Sequence, residues 1–144
     1  MDNVERFRSA QRLLSSRHPH AALQVLEPLV ADEPDSVAVL ELAARASYDT
    51  GRLSRAEAFF RRVVELDPAH HYAHAGLGRT LSRAGRHSEA LPHLRLATAM
   101  HPESWYGEAL QRAEEAVAAG RPSAPPIDAP GDVPDRSAQD HESR

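Results

Sequence analysis

Three histidines stand close together in the middle of the chain, at positions 70, 71 and 74. In a helix, His70 and His74 would share one face, because residues four apart lie one above the other. This spacing occurs in zinc sites, so metal binding is one hypothesis. The alternative is that His70 and His71 begin a helix at the solvent while His74 packs against the preceding helices. Since no HExxH pattern or third acidic ligand stands nearby, we predict no metal.

Other residue types and patterns used in catalysis are sparse. The chain has no cysteine, which excludes disulfides, thiolate zinc sites and a cysteine nucleophile. No serine–histidine–acid arrangement or paired-carboxylate cleft can be identified. The segment Gly76-Leu77-Gly78 lies within a helical pattern and follows no strand, unlike a phosphate-binding loop. We therefore predict a protein that is not an enzyme and holds no cofactor.

The charges and apolar runs of the sequence indicate which classes of partner and which cellular location to expect. All 17 basic residues other than histidine are arginine, against 21 acidic residues, and the net charge is −4. This chain lacks the basic surface of a nucleic-acid binder. It has no apolar run long enough for a membrane span, and its first residues do not resemble a secretory signal. Arginine and alanine codons are GC-rich, which favours a bacterial source. We expect a cytoplasmic protein that binds neither nucleic acid nor membranes.

The elements that position these side chains repeat along the chain. Pro34, Pro68 and Pro102 are spaced 34 residues apart (68 − 34 and 102 − 68), and each follows a similar apolar phrase. When the segments that end near these prolines are aligned, small and large residues fall into register. The small positions are Ala10, Ala44 and Gly78, and then Ala22, Ala56 and Ala90; a large position holds Leu26, Phe60 and Leu94.

Local signals predict two helices in each unit. Apolar residues recur at helical spacing in both halves of a unit. Gly51 and Gly85 stand where a left-handed residue would end the first helix. Ser54 and Ser88 follow three residues later and are predicted N-caps of the second helix. The repeated prolines then end that second helix.

This pattern resembles the tetratricopeptide-repeat family. The third unit matches best, with Leu77-Gly78, Gly85, Ala90, Leu94 and Pro102 in the family's characteristic places. The resemblance implies an all-α, right-handed solenoid of three helix-turn-helix hairpins over about residues 3–35, 36–69 and 70–103. It also implies that one set of residues packs the repeats together: Ala10, Ala22, Ala44, Ala56, Phe60, Leu77, Gly78, Ala90 and Leu94.

A seventh helix and a tail complete the organisation. Apolar residues recur at helical spacing over about residues 103–119, which predicts a capping helix over the last hairpin. The repeat domain would thus span residues 1–119. Residues 120–144 are rich in proline and lack a helical period, so we expect a disordered tail. This tail could bind a partner, occupy the chain's own groove or act only as a linker.

The resemblance also implies a binding site, because the first helix of each hairpin lines a concave groove in this family. The corresponding positions here are Phe7, Gln11, Leu14, Glu41, Arg45, Tyr48, Tyr72, Arg79 and Arg83. Arg45 and Arg79 are equivalent and could hold a carboxylate. The alternative is that Arg45 pairs with Glu41 or Asp49 on its own helix. The lysines with which some family members clamp chaperone C-termini are absent, so that activity is not expected.

These expectations favour a protein-interaction module, either an adaptor or a scaffold. Its partner would be a peptide or helical segment of another protein, bound in the groove. One alternative is a self-associating assembly unit, driven by Val4, Phe7, Leu14 or the capping face. Another is a small secretion chaperone, a role played by some three-repeat members of the family.

Overall fold

The computed structural model describes residues 1–120, and within them the chain forms seven α-helices and no strand. The helices are α1 (Asn3–Ser15), α2 (Pro19–Asp32), α3 (Val37–Asp49), α4 (Leu53–Leu66), α5 (His71–Arg83), α6 (His87–Met100) and α7 (Tyr106–Ala118). The predicted all-α solenoid of three hairpins and a capping helix is therefore confirmed. The expectation of a disordered tail concerns residues 121–144, which lie outside the described residues.

The three hairpins use the same turn. Its left-handed residue has a φ of 63° at Arg17, 75° at Gly51 and 83° at Gly85. In the second hairpin the N–H of Gly51 donates to Tyr48 O (3.0 Å) and that of Arg52 donates to Ser47 O (2.8 Å). This pair of hydrogen bonds satisfies the last carbonyls of the first helix. The left-handed glycines were predicted correctly, and Arg17 adopts the same conformation despite its side chain.

The predicted N-caps of the second helices are wrong. Helix α4 begins at Leu53 after Arg52, and α6 begins at His87 after Arg86, without a side-chain cap in either case. The turn leads directly into the next helix, so Ser54 and Ser88 are already its second residues. Side chains instead cap the first helices: the cap residues are Asp2, Ser36 and His70.

Small residues at the helix crossings allow the backbones to approach closely. A Cβ atom at Gly76 would lie 2.4 Å from Phe60 Cζ, and one at Gly78 would lie 2.5 Å from Leu94 Cγ. Side chains larger than hydrogen therefore cannot fit at these points without displacing buried residues. The predicted packing residues are all buried: Ala10, Ala22, Ala44, Ala56, Phe60, Leu77, Gly78, Ala90 and Leu94.

An ion-pair network around the buried Arg86 joins the second hairpin to the third. Arg86, which is 8% exposed, donates from Nη1 to Glu57 Oε1 at 2.6 Å. Its Nε–H donates to Glu89, and Arg61 Nε–H donates to Glu57 Oε2 at 3.0 Å. The shared carboxylate of Glu57 thus ties α4 to the start of α6. The repeat pattern gave no sign of this network, because the repeat equivalent of Glu57 in the third unit is Leu91.

Helix α7 closes the stack. It begins at Tyr106, three residues later than predicted, because residues 102–105 form turns after Pro102. Ala109 and Ala113 join the core made by the second and third hairpins, while Tyr106 packs with Ala75 and Ala97. No helix of the described part of the chain is long and apolar enough to cross a membrane.

Candidate functional site

The inner surface of the stack is formed by the first helix of each hairpin and the capping helix. Helix α1 contacts α3, α3 contacts α5, and α5 contacts α7. Within the described residues, the second helices α2, α4 and α6 make no such contacts with one another. The first helices are therefore closer together, and the stack curves towards them. We refer to the surface of α1, α3, α5 and α7 on this side as the groove.

Arg79 packs on two aromatic rings in the groove. Its guanidinium carbon lies 4.3 Å from the centroid of the Tyr48 ring and 4.3 Å from that of the Trp105 ring. Arg83 also lies over Tyr48, at 4.9 Å, and its Nη1 donates to the carbonyl oxygen of Tyr48 at 3.0 Å. The contacts with the π-faces hold both cations in place. Tyr48, Arg79 and Arg83, which the sequence predicted as groove residues, are thus brought together.

Trp105 was missed as a site residue. The sequence placed it only on the apolar face of the capping helix, whereas it contacts Arg79 from the turn before α7. Tryptophan is the strongest cation–π partner among the side chains, and this is the only one in the chain. The sequence signal that could have identified Trp105 is the presence of a single tryptophan just after the last repeat.

The groove arginines have no acidic partners in the part of the chain that the structure describes. Arg45, Arg79 and Arg83 form no ion pair within 4.0 Å there. The Nε–H of Arg79 is buried and, among residues 1–120, has no hydrogen-bond acceptor. The alternative pairing of Arg45 with Glu41 or Asp49 is not found. Glu41 instead lies 3.4 Å from His70 Nε2.

Tyr72 forms part of the groove floor. Its ring meets that of Phe60 edge-on, with centroids 6.1 Å apart. Burial raises the pKa of the Tyr72 hydroxyl to about 12, and the positive charges of Arg45 and Arg79 offset this only in part. Tyr72 therefore stays neutral at physiological pH and offers a hydroxyl and an aromatic surface.

A pocket of about 480 Å³ opens where the groove meets α7. We call it the arginine pocket, and its lining residues are Tyr48, Arg79, Ser82, Arg83, His87, Leu94, Ala109, Arg112, Glu115 and Ala116. Three guanidinium groups line it against one carboxylate, so the pocket carries a net positive charge. Its floor is apolar. The pocket can accordingly hold an anionic group that is attached to an aliphatic segment.

The groove residues of α1 do not join this cluster. Phe7 lines a separate pocket of about 250 Å³ together with Val4 and Val39. Gln11 is exposed and lines another pocket, together with Arg8 and Arg12. The assignment of Leu14 to the groove must be corrected to the core: it is 7% exposed and packs with residues of α2 and α3.

The three neighbouring histidines have structural contacts. His70 caps α5 and accepts from Ala73 N–H at 3.1 Å, so it precedes the helix and does not share a helical face with His74. His71 and Tyr106 form a hydrogen bond of 2.9 Å. His74 is buried and donates from Nε2 to Pro68 O at 2.8 Å. His70 and His71 are half-buried, which corrects the expectation that they face the solvent. Among residues 1–120, no three histidine, aspartate or glutamate side chains are arranged to hold a metal ion.

Comparison with known proteins identifies related repeats. Two family models, both described as tetratricopeptide repeat, match residues 7–71 and 51–114. A curated relative, the uncharacterized protein y4yS of Sinorhizobium fredii, is 29% identical over 90 residues. The match covers 62% of this chain and 50% of y4yS, so the chain spans half the length of that relative.

Solved structures share the fold. The Sgt2 TPR domain from Aspergillus fumigatus superposes with a TM-score of 0.75 at 15% identity, covering 94% of this chain and 93% of its own. MamA from Desulfovibrio magneticus RS-1 has a TM-score of 0.68 at 25% identity, with 83% and 71% covered. An O-GlcNAc transferase from Thermobaculum terrenum has a TM-score of 0.69 at 21% identity, but this chain covers only 23% of it.

Proposed function

This chain belongs to the tetratricopeptide-repeat family, and we propose that it is an interaction module that binds a segment of another protein in the groove. Proteins with this fold generally serve protein–protein interaction, whereas the fold alone does not specify the partner. The proposal therefore depends on the side chains of the groove. Binding, and not catalysis, is the role that they support.

One observation carries the proposal: Arg79 packs on Tyr48 and Trp105 at an accessible part of the groove, without an acidic partner among residues 1–120. Aromatic residues and arginine are the side chains most enriched at interaction hot spots. Here their positions are fixed before a partner arrives. A partner therefore loses less free energy to ordering of the groove side chains when it binds.

The two ends of the groove offer different chemistry to such a segment. The arginine pocket is positively charged, whereas the pocket beside Phe7 and Val4 is largely apolar. Tyr72 and Arg45 lie on the helices between these ends. We propose that a bound segment places an apolar side chain beside Phe7 and runs along α3 and α5 towards α7. The difference between the ends would fix its direction.

Site-specific photo-crosslinking tests this assignment. A photoreactive amino acid is introduced at Arg45 or Ser82, which lie on α3 and α5, and the full chain is irradiated in an extract of its source organism. We expect both positions to cross-link to the same partner, because the bound segment crosses both helices.

The matched control is the same photoreactive residue at Arg95, an exposed arginine of α6 that does not line the arginine pocket. It should give no cross-link to that partner. Equal yields from Arg95, Arg45 and Ser82 would show that the partner does not use the groove.

Self-association is a second candidate, favoured by the N-terminal end of the stack. Val4 is 59% exposed on α1, the first helix of the described residues. A second copy could bury this residue together with Phe7. Light scattering should then show a mass that increases with concentration and returns to that of the monomer in Val4→Asp. A constant monomer mass of the unmodified chain would contradict this candidate.

A further inference from the structure

We propose that the arginine pocket binds a carboxylate group of the partner segment and that Arg79 contacts this group directly. The inference rests on the proposed function, because it specifies the chemistry of the partner at one end of the groove. It concerns a site built by α3, α5 and the capping helix together. Two sources can supply the group: an acidic side chain within the segment, or the carboxylate at the partner's C-terminus.

The charges around the pocket call for an anion. Arg79, Arg83 and Arg112 line it, and the one acidic residue there is Glu115. That carboxylate already accepts a hydrogen bond from Gln111 Nε2 at 3.2 Å. Two of the cations lie over the same Tyr48 ring and therefore repel each other at short range. A bound anion would relieve this repulsion.

The geometry of Arg79 favours a planar anion. Its guanidinium carbon lies 4.3 Å from the centroids of both the Tyr48 and the Trp105 ring, so the group is held against two aromatic side chains. The N–H donors point outward in the guanidinium plane and suit the two oxygens of a carboxylate. The aromatic rings also exclude water, which strengthens a charged hydrogen bond. Arg79 is therefore held ready for such a contact.

The rest of the pocket accommodates the chain that bears the carboxylate. Leu94, Ala109 and Ala116 provide an apolar floor. The methylene group of an aspartate or glutamate, or the side chain of a C-terminal residue, can pack there. A protein segment combines a carboxylate with such aliphatic groups. The three arginines surround one pocket and do not form a basic stripe, which separates this site from a surface that follows a nucleic-acid backbone.

A reporter lies beside the pocket. Trp105 is the sole tryptophan of the chain and contacts Arg79, so tryptophan fluorescence, excited selectively over the three tyrosines, reports on this contact. The full chain is titrated with three blocked peptides. Acetyl-alanyl-aspartyl-alanine amide carries a side-chain carboxylate, acetyl-alanyl-alanine carries a terminal one, and acetyl-alanyl-asparaginyl-alanine amide carries none. We expect a saturable change with at least one acidic probe and none with the neutral probe. The probe that binds identifies the source of the carboxylate.

Two substitutions locate the binding. Arg112→Gln removes a charge from the exposed rim of the pocket without touching the stack on Trp105, and it should weaken the acidic probe several-fold. Arg79→Gln should weaken the affinity for the acidic probe by about tenfold or more. Calorimetry is used for this variant because the substitution itself changes the tryptophan signal. Arg95→Gln, outside the pocket, is the control and should bind like the unmodified chain. Circular dichroism checks that each variant is folded.

Equal binding of acidic and neutral probes, no binding of either acidic probe, or unchanged affinity in both pocket variants would overturn the carboxylate site. These outcomes are distinct from failure of the proposed function. Cross-links from Arg45 and Ser82 without binding of acidic probes would retain the interaction module and reject this pocket. Binding of acidic probes without any groove cross-link would retain the carboxylate site and reject the binding of a partner segment along the groove.

Discussion

Arginine is the only strongly basic residue type in this chain, and its copies occupy very different environments. Arg86 is buried between Glu57 and Glu89, where those two carboxylates raise its pKa further. Arg79 packs on aromatic rings, and Arg62 pairs at the surface with acidic residues. Arginine therefore joins two hairpins in one place, lines the groove in another and pairs with carboxylates on the exposed surface in a third. Sequence position within the repeat, and not residue type, separates these roles.

The contact between the buried His74 and the half-buried His93 predicts a pH dependence of stability. His74 Nε2–H donates to Pro68 O, so in the neutral ring Nδ1 must accept. His93 Nδ1 lies 3.4 Å from that atom and donates to it. Burial lowers the pKa of His93, and the nearby His74 and Arg61 lower it further.

The sign follows from which state binds more protons. An exposed histidine has a pKa of about 6.5, and His93 in the folded chain has a lower one. Between the two values the unfolded chain binds more protons, so stability is complete above about pH 6.5 and decreases as the pH falls below it. Urea unfolding should give a lower free energy at pH 5 than at pH 7.5. His93→Gln should reduce this difference, and an unchanged difference would reject His93 as its source.

At the residue scale, the sequence indicated which residues lie in the groove better than it indicated which contacts they make. Tyr48, Arg79 and Arg83 lie together, and the repeat fixes which helical face each of them occupies. Stacking of Trp105 on Arg79 joins the turn before α7 to the third hairpin, and the contact of His93 with His74 joins the two helices of that hairpin. Such contacts depend on how the helices pack, which spacing within one helix does not reveal.

The hairpin is the element that repeats, and its turn shows where the three copies differ. All three turns need a left-handed residue, which Gly51 and Gly85 provide without steric strain. Arg17 adopts a φ of 63° at the same place although its Cβ clashes with the backbone there. The first turn is accordingly the most strained of the three.

Arg17→Gly should therefore stabilise the protein. Relief of the left-handed conformation favours the folded state by about 1–2 kcal/mol, while the greater freedom of glycine in the unfolded chain offsets about half of that. We expect a net gain of roughly 0.5–1 kcal/mol in the free energy of unfolding, measured by urea denaturation. Arg17 is exposed, so no buried contact is lost. Gly85→Ala is the opposite control and should destabilise; a loss of stability in Arg17→Gly would reject this account.

Helix periodicity predicted the number and order of the elements, while their ends were predicted less well. The prolines and glycines define the repeat because proline restricts the backbone and glycine accepts the left-handed conformation of the turn. The caps depend on hydrogen bonds that form only once the turn is in place. Ser54 and Ser88 were therefore assigned as caps on residue preference alone, whereas the turn starts α4 and α6 one residue before them.

At the scale of the whole molecule, the stack is held together by contacts between helices of the same or adjacent units. Consecutive helices contact one another, and beyond that α1 meets α3, α3 meets α5 and α5 meets α7. In the described chain no contact joins the first hairpin to the last hairpin or the cap. Stability in such a stack is a sum of local terms, so a defect should spread only to the adjacent hairpin.

Ala113→Asp tests this locality. Ala113 is fully buried where α7 meets the core, and an unpaired carboxylate there should detach the capping helix. Hydrogen exchange should become much faster in α7 and faster in α5 and α6, while α1 and α2 retain their protection. Glu114→Ala, at the exposed neighbouring position, should leave the whole pattern unchanged. Uniform loss of protection across all seven helices would show a single cooperative unit instead.

The order of assembly follows from this stacking. Because every helix–helix contact among residues 1–120 joins a hairpin to itself or to an adjacent element, each hairpin can fold on its predecessor as the ribosome releases it. Trp105 and α7 emerge after the three hairpins, and they supply one aromatic face for Arg79 and one wall of the arginine pocket. A nascent chain therefore acquires its repeats before it acquires this end of the groove, and under the proposed function a partner could use that end only once the stack is closed.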